Sequence, residues 1–230
     1  MILEVIATSL QDAVQAEDNG ADRLELITSY AEGGLTPNIG LVEQIVRAIS
    51  IPVHVMVRPH SRTFVYDRYD IDTMTADIKA ISSIGAAGVV LGPLTSEGNI
   101  DQRSLEALLS FAGTMNVTFH RAFDELEDQV AGLRILQGYS QINRVLTSGG
   151  IKSALEAIPE IRRLVEEADG SSLTILAGSG LKVEGILSFI EQTKVKEVHF
   201  GSAVRFNGSG LEPIDCLKLR TLAGILHEKV

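Results

Sequence analysis

Short runs of β-branched and other apolar residues alternate along the chain with stretches whose apolar residues recur at helical spacing. This alternation is typical of parallel strands joined by helices. The sequence predicts eight strands, at residues 2–7, 22–27, 53–58, 88–92, 117–121, 144–147, 173–177 and 197–200. The repeat of about 28 residues fits one strand, one helix and two short loops.

The helical stretches have recognisable ends. Ser9 followed by Asp12 predicts a capping box at the start of the first helix, and Asp101 predicts the cap of the fourth. The third helix is expected from about residue 71 to residue 85, and the last one over residues 214–227. Each predicted strand is thus followed by a predicted helix.

Eight such units without a linker predict an α/β protein, a single (β/α)8 TIM barrel that forms one domain over residues 1–230. The alternative is an open, doubly wound sheet. No Gly-x-Gly-x-x-Gly pattern follows the first predicted strand, which argues against a dinucleotide-binding version of that alternative.

Net charge and cysteine content argue against several classes of function. The chain of 230 residues has a net charge of −10, which argues against a non-specific nucleic-acid binder. Its single cysteine, Cys216, excludes a disulfide or a Cys-based zinc or iron–sulfur site within one chain. No basic region precedes the apolar start of the chain, and no apolar stretch is long enough to span a bilayer. We expect a cytoplasmic protein without a membrane partner.

The candidate functional residues are concentrated at the ends of the predicted strands. In a (β/α)8 barrel these strand ends form the face that carries the active site. Four residues are predicted to be catalytic: Glu25, Arg58, His120 and Asp124. Four are candidate metal ligands: Glu4, Glu25, His120 and His199. A histidine, an arginine and an acid within residues 120–124 suit proton transfer or anion binding.

Glu4 and Glu25 are expected to point into the barrel, where burial of a carboxylate costs several kcal/mol unless it is paired. Arg23, Arg58 or a metal ion would serve as the partner. The alternative for both acids is an ion-pair layer that closes the barrel floor.

Glycine-rich loops follow the last three predicted strands, at residues 147–150, 177–180 and 201–203. Backbone N–H groups in such loops can converge on an anion, and barrels often bind phosphate beyond strands seven and eight. The predicted anion or phosphate site comprises Arg121, Ser148, Gly149, Gly178, Ser179, Gly180, Gly201 and Ser202. The alternative is that these glycines serve only the turns.

Several of these segments together resemble the CutC family: Glu4 and residues 20–26, 33–37, 57–59, 118–124 and 146–150. The resemblance runs over nearly the whole chain, and residues 118–124 are its most specific part. It implies a cytoplasmic (β/α)8 barrel concerned with copper homeostasis, which binds copper and assembles as a dimer or larger homo-oligomer.

The chain departs from the family where many members carry cysteines, in the first two strands. The matching positions here are Ile6, Ala7 and Ile27, whereas Cu(I) prefers thiolates and thioethers. Two functions therefore stay open. One is a copper homeostasis protein that binds copper or another divalent metal. The other is a metal-dependent enzyme that performs acid–base chemistry on a phosphorylated or other small anionic substrate at the barrel mouth.

Overall fold

The computed structural model describes residues 1–228, in which eight parallel strands close into a barrel in chain order. The strands are β1 (Ile2–Ala7), β2 (Arg23–Leu26), β3 (Val53–Met56), β4 (Gly88–Leu91), β5 (Asn116–Phe119), β6 (Ile142–Thr147), β7 (Thr174–Ala177) and β8 (Glu197–Phe200). The helices are α1 (Leu10–Asp18), α2 (Ile39–Ala48), α3 (Arg68–Ile84), α4 (Gln102–Ala112), α5 (Gln129–Gln137), α6 (Ile158–Ala168), α7 (Ile186–Thr193) and α8 (Cys216–Glu228).

The predicted (β/α)8 barrel is confirmed, because β1 pairs with both β2 and β8 and leaves no open sheet edge. The open-sheet alternative is therefore wrong. The boundaries of β1 and β8 agree with the prediction, whereas β3 ends two residues early and β6 begins two residues early. Within residues 1–228 there is no helix with the length and apolar character that crossing a membrane requires.

Helix starts follow local capping chemistry, with two differences from the prediction. Ser9 Oγ accepts the Asp12 N–H, but the Asp12 carboxylate accepts from the Thr8 N–H and so forms no reciprocal box with Ser9. Helix α3 begins at Arg68, earlier than expected, because Asp67 and Asp70 form a reciprocal capping box there. Asp101 caps α4 as predicted, by accepting the N–H of Ser104.

Apolar side chains fill the layer between the barrel and its helices. Along β1, the alternate residues Leu3, Val5 and Ala7 are fully buried in this outer core, as the two-residue period of a strand requires. Ile6 lies on the other face, beside an inner cluster formed by Ile27, Met56 and Val90. The barrel interior thus contains an apolar cluster near the ends of β1 to β4.

A layer of buried charges fills the barrel interior beneath that cluster. Glu197 accepts from Arg23 and from Arg144 Nε, the latter at 3.2 Å, and Arg23 also donates to Glu4. Burial and the nearby Arg23 charge lower the pKa of Arg144, although Glu197 opposes that effect. Burial lowers the pKa of His54, next to this layer, to about 3. The ion-pair layer considered for Glu4 is therefore present, while Glu25 lies outside it.

Replacing Glu197 with Gln tests this layer. The substitution leaves Arg144 without a carboxylate partner in the described chain, and breaking one side of a buried ion pair typically costs about 3–5 kcal/mol. We expect E197Q to lower the free energy of unfolding by that amount in urea denaturation. Glu191Gln on the exposed side of α7 is the matched control and should change it little. Equal stability of the two variants would contradict a stabilising role for the layer.

Candidate functional site

A cavity of about 530 Å³ opens at the carboxyl ends of the strands. Ten predicted site residues line it: Glu25, Arg58, His120, Arg121, Asp124, Ser179, Gly180, His199, Gly201 and Ser202. Four predicted residues do not belong to its wall: Glu4, Ser148, Gly149 and Gly178. The topology therefore brings most of the predicted site residues to one cavity, because the strand ends of a closed barrel meet at one mouth.

Glu25 and His199 form the polar floor of this cavity. Glu25 is only 3% exposed, with Oε2 at 3.7 Å from His199 Nε2 and no hydrogen-bond partner for Oε1 among the described residues. His199 Nδ1 lies 2.7 Å from Glu4 Oε1, so Glu4 fixes the orientation of the imidazole from behind. The three side chains thus form a chain that leads from the ion-pair layer to the cavity.

Burial and charge set the protonation of these groups. Burial raises the pKa of Glu25 to about 7, although His199 opposes the rise. Burial alone would lower the pKa of His199, but the charge of Glu25 and the hydrogen bond with Glu4 outweigh it, and the pKa is raised. For Glu4, burial is outweighed by Arg23 and His199, which hold its pKa well below the usual range. Glu25 is therefore a floor group that titrates near neutral pH, in contact with a histidine whose pKa is raised.

The same side chains form the one group of candidate metal donors found within residues 1–228. Donor atoms of Glu4, Glu25 and His199 lie within 4.8 Å of one another, whereas His120 lies outside the group. Arg23 and His199 already occupy the oxygens of Glu4, which leaves Glu25 and His199 Nε2 for an ion. Oxygen and imidazole donors suit divalent ions.

These donors do not suit Cu(I), which selects thiolates and thioethers. The free thiol of Cys216 lies on α8, in the outer layer of the barrel. The only sulfur in the cavity wall is the thioether of Met56. The donor set of the cavity therefore does not fit Cu(I).

Arg58 is held by backbone carbonyls. Its Nη1 donates to Glu32 O at 3.0 Å and to Gly34 O at 3.2 Å, and its Nη2 lies 3.4 Å from Ser61 O. These contacts tie together the loops that follow β2 and β3. The forked end of the guanidinium is therefore occupied, and Nε is the donor that has no partner among the described residues.

His120 presents a neutral imidazole. Its Nδ1 accepts the Ala122 N–H at 3.2 Å, so the proton of the neutral ring is on Nε2, which has no partner in residues 1–228. Burial, aided by the charge of Arg58, lowers the pKa of His120 to about 3. Gly92 leaves room for the ring, since a Cβ there would lie 2.5 Å from Nδ1. At neutral pH His120 is a hydrogen-bond donor toward the cavity.

Asp124 is engaged by the protein itself. It accepts from Thr147 Oγ1 at 2.5 Å, from the N–H groups of Ser148 and Gly150, and from Arg121 Nε at 2.8 Å. The carboxylate thereby positions Arg121 and the loop after β6. These bonds leave Asp124 little capacity to carry a proton for a ligand, so the structure assigns it a positioning role instead of the predicted catalytic one.

Three residues of the predicted anion site use their backbone N–H groups in hydrogen bonds within the protein. The N–H of Ser148 donates to Asp124, that of Gly149 to Thr147 Oγ1, and that of Gly178 to Thr147 O. A Cβ at Gly178 would also lie 2.7 Å from Leu146 Cδ1, so close packing explains this glycine. The correction is that Ser148, Gly149 and Gly178 offer no free N–H group to an anion.

The loop after β7 still has backbone N–H groups that could bind an anion. Ser179 and Gly180 adopt positive φ angles of 69° and 74°, both line the cavity, and neither N–H has a partner among the described residues. In the loop after β8, the Tyr30 hydroxyl lies where a Cβ of Gly201 would be. Burial raises the pKa of Tyr30, although the charge of Arg205 and hydrogen bonds from Ser202 oppose the rise. Tyr30 thus covers the predicted Gly201–Ser202 part of the anion site.

Aromatic residues complete the cavity wall. The sequence predictions gave no role in the site to Tyr30 or Phe64, which both line the cavity. Phe64 comes from the long loop between β3 and α3, and its ring contacts both Arg58 and His120. The only available sequence signal was the length of that loop, which does not show where its side chains lie.

Comparison with known proteins identifies the family. The CutC family model matches residues 1–204. The Homo sapiens copper homeostasis protein cutC homolog is 36% identical over 97% of this chain and 88% of its own length. A CutC family protein of Glaesserella parasuis is 37% identical over 88% of this chain and 82% of its own length.

Solved structures agree with this result. The crystal structure of CutC from Streptococcus agalactiae matches with a TM-score of 0.81 at 30% identity, covering 86% of this chain and 97% of that one. Phosphoribosyl anthranilate isomerase from Thermococcus kodakaraensis matches with a TM-score of 0.65 at 14% identity, covering 98% of both chains, and shares the fold alone. The family model, the relatives and the CutC crystal structure together confirm the resemblance seen in the sequence motifs: this chain belongs to the CutC family.

Proposed function

We propose that the chain binds a small phosphate-bearing molecule in the mouth cavity and transfers a proton on it, with Glu25 as the acid–base group. The observation that carries this proposal is the Oε1 atom of Glu25, which is buried in the cavity floor without a partner in the described chain. A buried, unpartnered carboxyl oxygen costs stability and is typical of a group kept for chemistry.

The surroundings of Glu25 suit proton transfer. A pKa of about 7 lets one carboxyl group both accept and donate a proton at neutral pH. His199 directs Nε2 toward Glu25, and its Nδ1 is held by Glu4, so the imidazole has one orientation in which to exchange the proton.

The phosphate would be held on the side of the cavity opposite β3. The N–H groups of Ser179 and Gly180 are free to donate there. Arg121 stands at the rim with 43% of its side chain exposed, and Asp124 fixes its direction. Backbone donors and one partly hydrated guanidinium are the groups that commonly bind phosphate monoesters.

A pH series tests the titration of Glu25. The folded protein holds a proton on Glu25 up to about pH 7, whereas an unfolded glutamic acid loses it near pH 4.5. The free energy of unfolding should therefore fall as pH rises through this window, by roughly 1–3 kcal/mol relative to E25Q. Urea unfolding from pH 4 to 8 measures the difference. Parallel stability curves for wild type and E25Q would contradict the raised pKa.

Phosphate esters test the anion site. Glycerol 3-phosphate at ~100 times its Kd should raise the melting temperature by about 5–10 °C. In Gly180Ala a Cβ collides with Ser153 and displaces the loop, so most of the shift should be lost. Gly170Ala is the matched control, since Gly170 has a similar φ of 78° but no atom near the new Cβ. An equal shift in both variants would contradict this site.

A second candidate function is metal handling, as the names of the CutC relatives suggest. The donor group of Glu4, Glu25 and His199 favours it, with Glu25 and His199 Nε2 as the residues that would hold a divalent ion such as Cu(II). Glu4 would orient His199 through Nδ1, which is how metal-binding histidines are commonly held. A cytoplasmic location and a homo-oligomeric state stay predictions from the sequence.

Competition titrations separate the two oxidation states of copper. Under anaerobic conditions a chromophoric Cu(I) chelator should keep its metal in the presence of tag-free protein, because the cavity offers no thiolate. Cu(II) should bind if the second candidate is correct, and both Glu25Gln and His199Gln should weaken it. Stoichiometric capture of Cu(I) would contradict the assignment from the donor set, and Cu(II) binding that survives both substitutions would exclude this site.

A further inference from the structure

Buried polar atoms without a partner are concentrated beside the loop that joins β3 to α3. Eight such side-chain atoms occur in residues 1–228, and three of them, Arg58 Nε, His60 Nδ1 and His120 Nε2, lie there. Arg58 and His120, which are 7% and 3% exposed, also line the mouth cavity. Native proteins leave few buried polar groups unsatisfied, so these atoms need a physical explanation.

One aromatic ring covers two of these side chains. The Cζ atom of Arg58 lies 4.6 Å from the centre of the Phe64 ring, and the centre of the His120 ring lies 4.9 Å from it. Arg58, Phe64 and His120 all line the mouth cavity. Phe64 therefore separates the two donors from bulk water while they still border the ligand space.

Arg58 is a buried cation whose counter-charge is missing. Its hydrogen bonds go to three neutral carbonyl groups, and no carboxylate of the described chain lies within 4.0 Å of its nitrogens. Burial of a charge without an opposite charge is strongly unfavourable. A bound anion would supply the counter-charge and would also satisfy Nε.

His120 and Tyr66 contribute hydrogen-bond donors without adding charge. The Ala122 N–H holds the acceptor nitrogen of His120, which leaves Nε2–H as a neutral donor. Tyr66 lies beside Arg58, whose charge and side-chain hydrogen bond oppose the burial that raises the pKa of Tyr66 to about 12. The region thus carries one positive charge, two N–H donors and one hydroxyl.

We propose that Arg58 and His120 bind a carboxylate group of the ligand beneath Phe64, so that the ligand of this cavity is a small phosphorylated carboxylic acid. This inference rests on the proposed function, which places the phosphate at Ser179 and Gly180. One buried cation matches the single charge of a carboxylate, whereas a phosphate dianion would leave a second charge unbalanced in an enclosed space.

The topology places the two anion sites apart. Arg58 and His120 follow β3 and β5, whereas Ser179 and Gly180 follow β7, on the far side of the mouth. Arg121 follows His120, but its Nη2 donates to Ser148 Oγ at 3.0 Å, so its guanidinium points toward the loop after β6, between the two sites. Both sites border the same cavity of about 530 Å³, which is within the range that holds one small molecule. The two charged groups therefore belong at opposite ends of one ligand.

Four probes of equal carbon length test this in the wild-type protein by isothermal titration calorimetry: glycerol 3-phosphate, 3-phosphoglycerate, glycerate and propane-1,3-diyl bisphosphate. We expect 3-phosphoglycerate to bind about 10- to 100-fold more tightly than glycerol 3-phosphate, as one charged hydrogen-bonded contact contributes. Equal affinities for these two would overturn the inference and leave the proposed phosphate site standing. Failure of both to bind would overturn the proposed function and the inference together.

The bisphosphate tests the choice of carboxylate. If it binds as tightly as 3-phosphoglycerate, the second site accepts a phosphate and the carboxylate assignment is wrong. Glycerate alone should bind more weakly than 3-phosphoglycerate, because it engages one site only.

Substitution of Arg58 tests the residue. Arg58Gln should remove the advantage of 3-phosphoglycerate over glycerol 3-phosphate, while Arg62Gln, an exposed arginine on the same loop, should retain it. If Arg58Gln fails to fold, Phe64Ala provides a second route, since admitting water beneath the ring should reduce the same advantage. An unchanged ratio in folded Arg58Gln, or in Phe64Ala where Arg58Gln does not fold, would overturn the role of this site.

Discussion

Both carboxylate oxygens of Glu4 are occupied, one by the Arg23 guanidinium and the other by His199 Nδ1. Through Arg23, Glu4 joins the buried charges that fill the barrel interior. Through His199, it orients the imidazole that faces Glu25 in the cavity floor. One ionised side chain thereby connects the packing of the barrel to the chemistry of its mouth, and any change that neutralises Glu4 would disturb both at once.

The cavity combines groups that the protein has satisfied with groups that it has left without partners. Asp124, in the cavity wall, and the loop after β6, behind it, saturate one another's hydrogen-bonding groups. Glu25 Oε1, Arg58 Nε and His120 Nε2 are buried yet unpartnered within the described chain. Unsatisfied polar groups cost stability, and a ligand that pairs with them recovers that cost as affinity. This contrast distinguishes the residues that build the site from those that would contact a ligand.

The names of the CutC relatives suggest a role in copper homeostasis, whereas the donor atoms of this chain do not suit Cu(I). Relatives are named for copper homeostasis, but the group of candidate metal donors in the described chain consists of two carboxylates and an imidazole instead of thiolates. Preference of an ion for its ligands depends on the donor atoms and not on the fold that carries them. The acid–base proposal follows the side chains that are present.

Strand spacing, the helix caps and the family motifs determined the barrel, because period-2 and period-3.6 patterns are local properties of the chain. The same logic placed Glu25, His120 and His199 at one mouth, since strand ends converge in a closed barrel. Which hydrogen atoms are free was decided only by tertiary contacts: the N–H of Gly149 is used by Thr147, whereas that of Gly180 is not. Sequence lists donors and acceptors, but their partners come from distant segments, and folding alone determines which are left for a ligand.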